Sequence, residues 1–164
     1  LLIGFWLRAM GQGGRLVSVD IDPQATAFTQ QWLDRAGVAD HVLLMLDDAA
    51  AERALVDTRT TFGGRMPQLI VLDSSHQYEH TKRELDRWVP AMDPQSLMLL
   101  HDTSTYAREF DQRGLGGVQQ ALHDFARRRR DISVMMLNGG VGSPPPEEPL
   151  VYRDGCGIGI LQKQ

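Results

Sequence analysis

The chain has a single cysteine, Cys156, so no intrachain disulfide can form, and its Gly-Cys-Gly setting lacks the partners that a structural zinc needs. A reducing, cytoplasmic setting is the expectation that follows. Long apolar runs are missing as well: no stretch approaches the ~20 residues of a membrane-spanning helix, and residues 1–10 carry neither a basic flank nor a small-residue cleavage site. Neither charge sign dominates, with 17 Lys and Arg against 21 Asp and Glu for a net −4. That balance offers no broad attraction to nucleic acid or an anionic membrane, so neither is an expected partner. Repeats and domain linkers are also absent. The 164 residues, 42% of them hydrophobic, read as one soluble domain long enough to bury a full core.

Short apolar runs alternate with helical patterns, which predicts an α/β fold with a mostly parallel sheet covered by helices. Strands are expected over Leu16–Asp20, His41–Leu46, Gln68–Asp73, Ser96–His101, Ile132–Leu137 and Gly157–Leu161, and their near-continuous apolar character suits burial on both faces. Asp22-Pro23 opens a helix, Gly37 closes it, and Ala25, Phe28, Trp32, Leu33 and Ala36 recur between them at helical spacing. Further helices are expected over Ala49–Thr60, Tyr78–Met92 and Gly117–Arg130. The prolines of 144–149 require an extended loop. Gly11-Gln12-Gly13-Gly14 follows a helix and precedes a strand, the reverse of a phosphate-binding loop, and reads as a turn.

Chemistry concentrates where strands end. Carboxyl ends of strands line the ligand crevice of an open α/β sheet, and Asp73-Ser74-Ser75-His76 and His101-Asp102 each close an apolar run. Neighbouring strands lie ~4.8 Å apart, so Asp73 and Asp102 could share one divalent cation, for which an oxygen-rich site favours magnesium, calcium or manganese. His76, three residues beyond Asp73, is placed to act as a base on a hydroxyl held there. His101 is either a further ligand or an ordinary polar residue at a strand end. Asp20 ends an earlier strand, where an acid accepts hydrogen bonds from ribose hydroxyls. Asp22 is better explained as the cap of the following helix. Asp48 and Ala49 could read an adenine edge, although an acid pair opening a helix equally serves capping.

The order of acid-ended strand, Asp-Ala turn, Leu-Asp-x-x-His-x-Tyr and Pro-Gln-Ser-Leu-Met-Leu-Leu-His-Asp resembles class I S-adenosylmethionine-dependent methyltransferases. Within these it is most similar to the group containing cephalosporin hydroxylase-like proteins and rhamnosyl or macrolide-sugar O-methyltransferases. The resemblance covers roughly residues 1–140 and the closing strand. It implies a Rossmann-like sheet with helices on both faces, S-adenosylmethionine as cofactor and a divalent metal, with magnesium expected. By the same resemblance Asp20, Asp48, Ala49 and Asp73 bind the cofactor, Asp73, Asp102 and His101 lie at the metal, His76 is the general base, and Tyr78 flanks the site. The implied reaction is O-methylation of a small-molecule or sugar hydroxyl, as in natural-product modification, by a chain free to form a homo-oligomer. Two departures stand out: His101-Asp102 where Glu-Asp is frequent, and Pro94-Gln95-Ser96 in place of Pro-Gly-Gly. The family's first strand and its glycine-rich turn should precede a helix like Leu1–Met10, so the sequence given reads as N-terminally truncated.

Other features have plainer readings. Thr103 to Gly117, with Tyr106, Phe110 and several glycines, suits a substrate lid. Arg127 to Arg130 fit the carboxyl end of a helix. Trp6, Trp32 and Trp88 read as core, His41, His80 and His123 as surface, and Glu84 and Asp86 as an exposed charged face beside Lys82 and Arg83. A nicotinamide-dependent oxidoreductase and a non-catalytic nucleoside-binding domain are the rival classes. The hydroxylase name in the family is not matched by a two-His, one-carboxylate iron site.

Overall fold

A computed structural model describes residues 1–138 and 155–164 of the chain. The proline-rich stretch 144–149 lies outside the described residues. Helices and strands alternate as the sequence pattern predicts, and the chain divides into two units, Leu1–Arg65 and Met66–Gln164.

The first unit runs α1 (Leu2–Met10), β1 (Leu16–Asp20), α2 (Pro23–Ala36), β2 (Val42–Leu46) and α3 (Glu52–Thr61). β1 and β2 pair in parallel, with Asp20 opposite Leu46, so the acids that close both strands share one end of the sheet. Asp22 caps α2 as expected, its Oδ1 accepting the N–H of Gln24 at 2.7 Å and of Ala25 at 3.2 Å. Gly37 ends the helix at φ 64, the left-handed conformation that glycine takes without a steric cost. Leu33, Val38 and Val42 form the buried cluster. The guanidinium of Arg8 donates to the carbonyls of Ala36 and Gly37, satisfying the free carboxyl end of α2 from α1. Two tryptophans correct the sequence reading. Trp6 is 68% exposed and Trp32 44%, so neither is a core residue here, whereas Trp88 at 5% is.

The second unit contains β3 (Leu69–Leu72), α4 (Tyr78–Ala91), β4 (Leu97–His101), α5 (Gly117–Arg127), β5 (Ile132–Leu137) and β6 (Ile158–Lys163). Its sheet has the order β3-β4-β6-β5: β3 and β4 are parallel, while β6 runs antiparallel to both its neighbours. Parallel pairing brings Leu72 opposite Leu100, and the chain leaves both strands at the same end. The core of this unit collects Ile70 and Leu72, Met98 and Leu100, Leu161, and the apolar stripes of α4 and α5, including Leu85, Val89, Leu122 and Phe125. β3 is less enclosed than its apolar run suggests. Ile70 and Leu72 are buried while Leu69 and Val71 are more than half exposed, so burial alternates along the strand.

Local chemistry explains the remaining differences. The expected helix at Ala49 begins three residues later, because Asp48 accepts the N–H of Ala50 at 2.8 Å and folds 48–51 into a turn. Gln95, where the family carries glycine, sits at φ 72, and its N–H bonds to the carbonyl of Lys163. The arginines after α5 behave as expected of a helix end. Arg128 donates to the Asp124 carbonyl, and Arg129 pairs with Asp131.

Candidate active site

Parallel pairing of β3 and β4 brings together the two segments singled out in the sequence. Asp73 follows β3, and His101-Asp102 closes β4. One ligand atom each from Asp73, His76 and Asp102 lies within 4.8 Å of the others. Asp102 is the fixed member of this group. Its side chain is 2% exposed, while those of His76 and Asp73 are 37% and 58% exposed, giving a buried acid at the base of an open cluster.

The imidazole of His76 turns its Nδ1 to Oδ2 of Asp102. His101 directs its own Nδ1 to Oδ1 of Asp102 at 3.2 Å and to Oδ1 of Asp73 at 3.4 Å. The two acids are therefore bridged by His101, and the buried one also lies against His76. Both His76 (φ 57) and Asp102 (φ 63) adopt left-handed backbone conformations. Such residues cost on the order of 1–2 kcal/mol each and persist where the surroundings over-determine them, which happens disproportionately at functional sites.

The segment after β4 is more tightly built than a glycine-containing lid suggests. Thr103, Ser104, Ala107 and Asp111 are buried, and Tyr106–Phe110 forms a 3-10 turn. Asp111 accepts the N–H of Leu115 at 2.8 Å and of Gly117 at 3.1 Å, which caps α5 from a distance. Gln77 fastens this segment to the His76 loop, donating to the Phe110 carbonyl at 2.8 Å and accepting the Gln112 N–H at 3.0 Å. The ring of Phe110 lies edge-on between His76 and Tyr106, with centroid separations of 5.8 Å on each side. An aromatic wall therefore borders the imidazole. Tyr78 joins α4 to α5 by donating to Asp124 at 3.0 Å, and this bond to a carboxylate raises its phenol above the ordinary value of 10.0.

The candidate cofactor residues Asp20, Asp48 and Ala49 belong to the first unit. Asp20 is exposed at the end of β1, with Oδ1 holding the Asp22 N–H at 2.9 Å. Asp48 is committed in part to its own turn and does not cap α3, whose N-cap is Ala51, so the capping alternative does not describe it.

Sequence reasoning missed Glu84. Its neighbours on α4 suggested an exposed charged face, yet it is 1% exposed, while Asp86 is at the surface as expected. The available signal was the i,i+4 spacing of His80 and Glu84, whose Nδ1 and Oε2 lie 3.2 Å apart.

Comparison with known proteins decides the family. A family model described as a methyltransferase domain matches residues 2–103. The chain belongs to this methyltransferase family. The resemblance to class I S-adenosylmethionine-dependent methyltransferases therefore holds, and the oxidoreductase rival falls away. No curated protein matches the chain. Among solved structures, a putative rRNA-methylase from Clostridium thermocellum shares 14% identity over 99% of this chain and 82% of its own, with a TM-score of 0.65. Cofactor-bound Rv0187 from MTB shares 18% identity over 98% of this chain and 66% of its own, with a TM-score of 0.67. The O-methyltransferase TomG from Streptomyces achromogenes, involved in tomaymycin synthesis and solved in complex with SAM, shares 17% identity over 99% of this chain and 67% of its own, with a TM-score of 0.61. At these identities the likeness is one of fold. It agrees with the Rossmann-like α/β architecture expected from the sequence.

Proposed function

We propose that this methyltransferase chain transfers a methyl group from S-adenosylmethionine to a hydroxyl of a small molecule, with His76 as general base. The observation that carries the proposal is the His76–Asp102 contact. With Nδ1 turned to the buried carboxylate of Asp102, Nε2 is the ring nitrogen left to take a proton from an acceptor hydroxyl. S-adenosylmethionine, when bound, supplies an already activated methyl group, so the protein's main tasks are alignment and proton removal. Asp20 is the candidate for the ribose hydroxyls, Asp48 and Ala49 for the adenine edge, and Asp73 for the neighbourhood of the reacting group.

The donor set also fits a hard divalent ion such as magnesium. Asp73 and Asp102 would hold it, with His101 against both acids and His76 within the same cluster. Such an ion, when bound, lowers the pKa of a coordinated hydroxyl.

Two features favour a small acceptor. The aromatic wall of Phe110 and Tyr106 beside His76 is a surface for a compact, partly apolar molecule. A net charge of −4 does not favour a polyanionic one, and the rRNA-methylase description belongs to the neighbour that bears it. A cytoplasmic enzyme of natural-product or sugar modification, free to form a homo-oligomer, is the setting this reading suggests. The test combines calorimetry with S-adenosylhomocysteine and transfer of labelled methyl from S-adenosylmethionine to a panel of sugar and phenolic hydroxyls. Binding with transfer supports the reading, binding without transfer to any acceptor favours the nucleoside-binding rival, and no binding rejects it.

A further inference from the structure

Glu84 is a carboxylate enclosed in the core of the second unit, beside Thr81 at 2% exposure. Burial of such a group is costly unless its oxygens are bonded. Oε2 is served, by the hydroxyl of Ser74 at 2.8 Å and by the ring of His80. Oε1 has no hydrogen-bond partner among the described residues, and neither does Oγ1 of Thr81. Both residues line a cavity of about 10 Å³ whose walls also include Asp73, His76 and His101. That volume is near the least that admits one water, which needs two to four polar partners, and this cavity offers them.

We propose that Glu84 is a positioning residue for His76: it holds Ser74 directly and, through one water in this cavity, ties α4 to the loop that carries Asp73 and His76. The inference rests on the reading of Asp73–Asp102 as the functional site. It accounts for two observations together. His76 keeps a left-handed backbone conformation, φ 57, that its own chemistry disfavours, so the loop must be held on both sides. Gln77 holds the side toward Phe110, while Ser74, two residues before His76, is held on the other by Glu84. It also gives a reason for an acid among the buried residues of α4.

The test reads His76 without requiring an acceptor or a metal. In the full chain labelled with ¹⁵N-histidine, the His76 ring signals are assigned by their loss in His76→Asn and compared at fixed pH, with folding checked by circular dichroism. Ser74→Ala and Glu84→Ala should displace these signals. Glu84→Gln, which keeps an acceptor for the Ser74 hydroxyl, should leave them in place, as should Val89→Ala, an equally buried change on α4 away from the cavity. Unchanged His76 signals in Ser74→Ala, or an equal displacement in Val89→Ala, overturn the proposal. If Glu84→Ala does not fold, Ser74→Ala decides alone, because Ser74 is an exposed residue and its replacement leaves the buried side chain of Glu84 in place. Calorimetry with S-adenosylhomocysteine on the same samples addresses the site reading separately: a parent chain that binds none rejects that reading, whatever the ring signals show.

Discussion

Replacing His76 by glycine and by alanine separates the strain at this position from its chemistry. Both changes delete the imidazole, its contact with Asp102 and its edge-on packing against Phe110, so those losses cancel in the comparison. What remains is the backbone. At φ 57 a residue with a Cβ costs about 1–2 kcal/mol, and glycine does not incur that cost. Glycine in turn loses about 0.5–1 kcal/mol relative to alanine by loosening the unfolded chain. The difference leaves His76→Gly more stable than His76→Ala by roughly 0.5–1 kcal/mol, the reverse of the ordinary order. Urea unfolding followed by circular dichroism measures it, with equal m-values confirming that only stability has changed. An alanine variant more stable than the glycine variant would show that the left-handed conformation at His76 is not maintained, and the argument from strain to function would fail with it.

Three further outcomes follow from the same geometry. Asp20→Ala should weaken S-adenosylhomocysteine binding by about 1–3 kcal/mol, the scale of lost charge-assisted hydrogen bonds, and unchanged calorimetric affinity would reject the ribose assignment. Asp111→Ala removes the acceptor shared by the N–H groups of Leu115 and the buried Gly117; it should cost about 2–3 kcal/mol in unfolding experiments, and a loss below about 0.5 kcal/mol would mean that the segment before α5 is not anchored there. Tyr78 has its phenol raised by Asp124, so its bond stabilises the fold below pH 10 and that contribution fades as pH rises through the folded value. Tyr78→Phe should therefore be less stable by about 0.5–1 kcal/mol at neutral pH, at the low end for a half-buried bond, with the gap closing in alkali; a gap that is constant with pH would refute the assignment.

Strand positions were legible because the strands are written as short apolar runs, and Asp22 and Gly37 because caps act on their immediate neighbours. Asp73 and His101-Asp102 were legible as strand ends, and parallel register did the rest. What the sequence hid depends on contacts distant along the chain or on competition between local options. Asp48 folds a turn where helix was expected, since its side chain reaches the N–H two residues on before the helix can start. The anchoring of 103–116 depends on Gln77, more than thirty residues earlier, which no local pattern encodes. Glu84 reads as surface charge beside Lys82 and Arg83, and only the fold places Ser74 against it. Trp6 and Trp32 show the converse: large apolar side chains at helical spacing that remain exposed.

The central claim is methyl transfer with His76 removing the proton. Its most direct test is the single-turnover transfer of labelled methyl from S-adenosylmethionine to the best hydroxyl acceptor of the panel, by the parent chain and by His76→Ala. The account predicts a rate lower by roughly 10²–10⁴-fold in the variant, with affinity for S-adenosylhomocysteine retained, because general base catalysis contributes on that scale. Equal rates per folded molecule in the two proteins would contradict it.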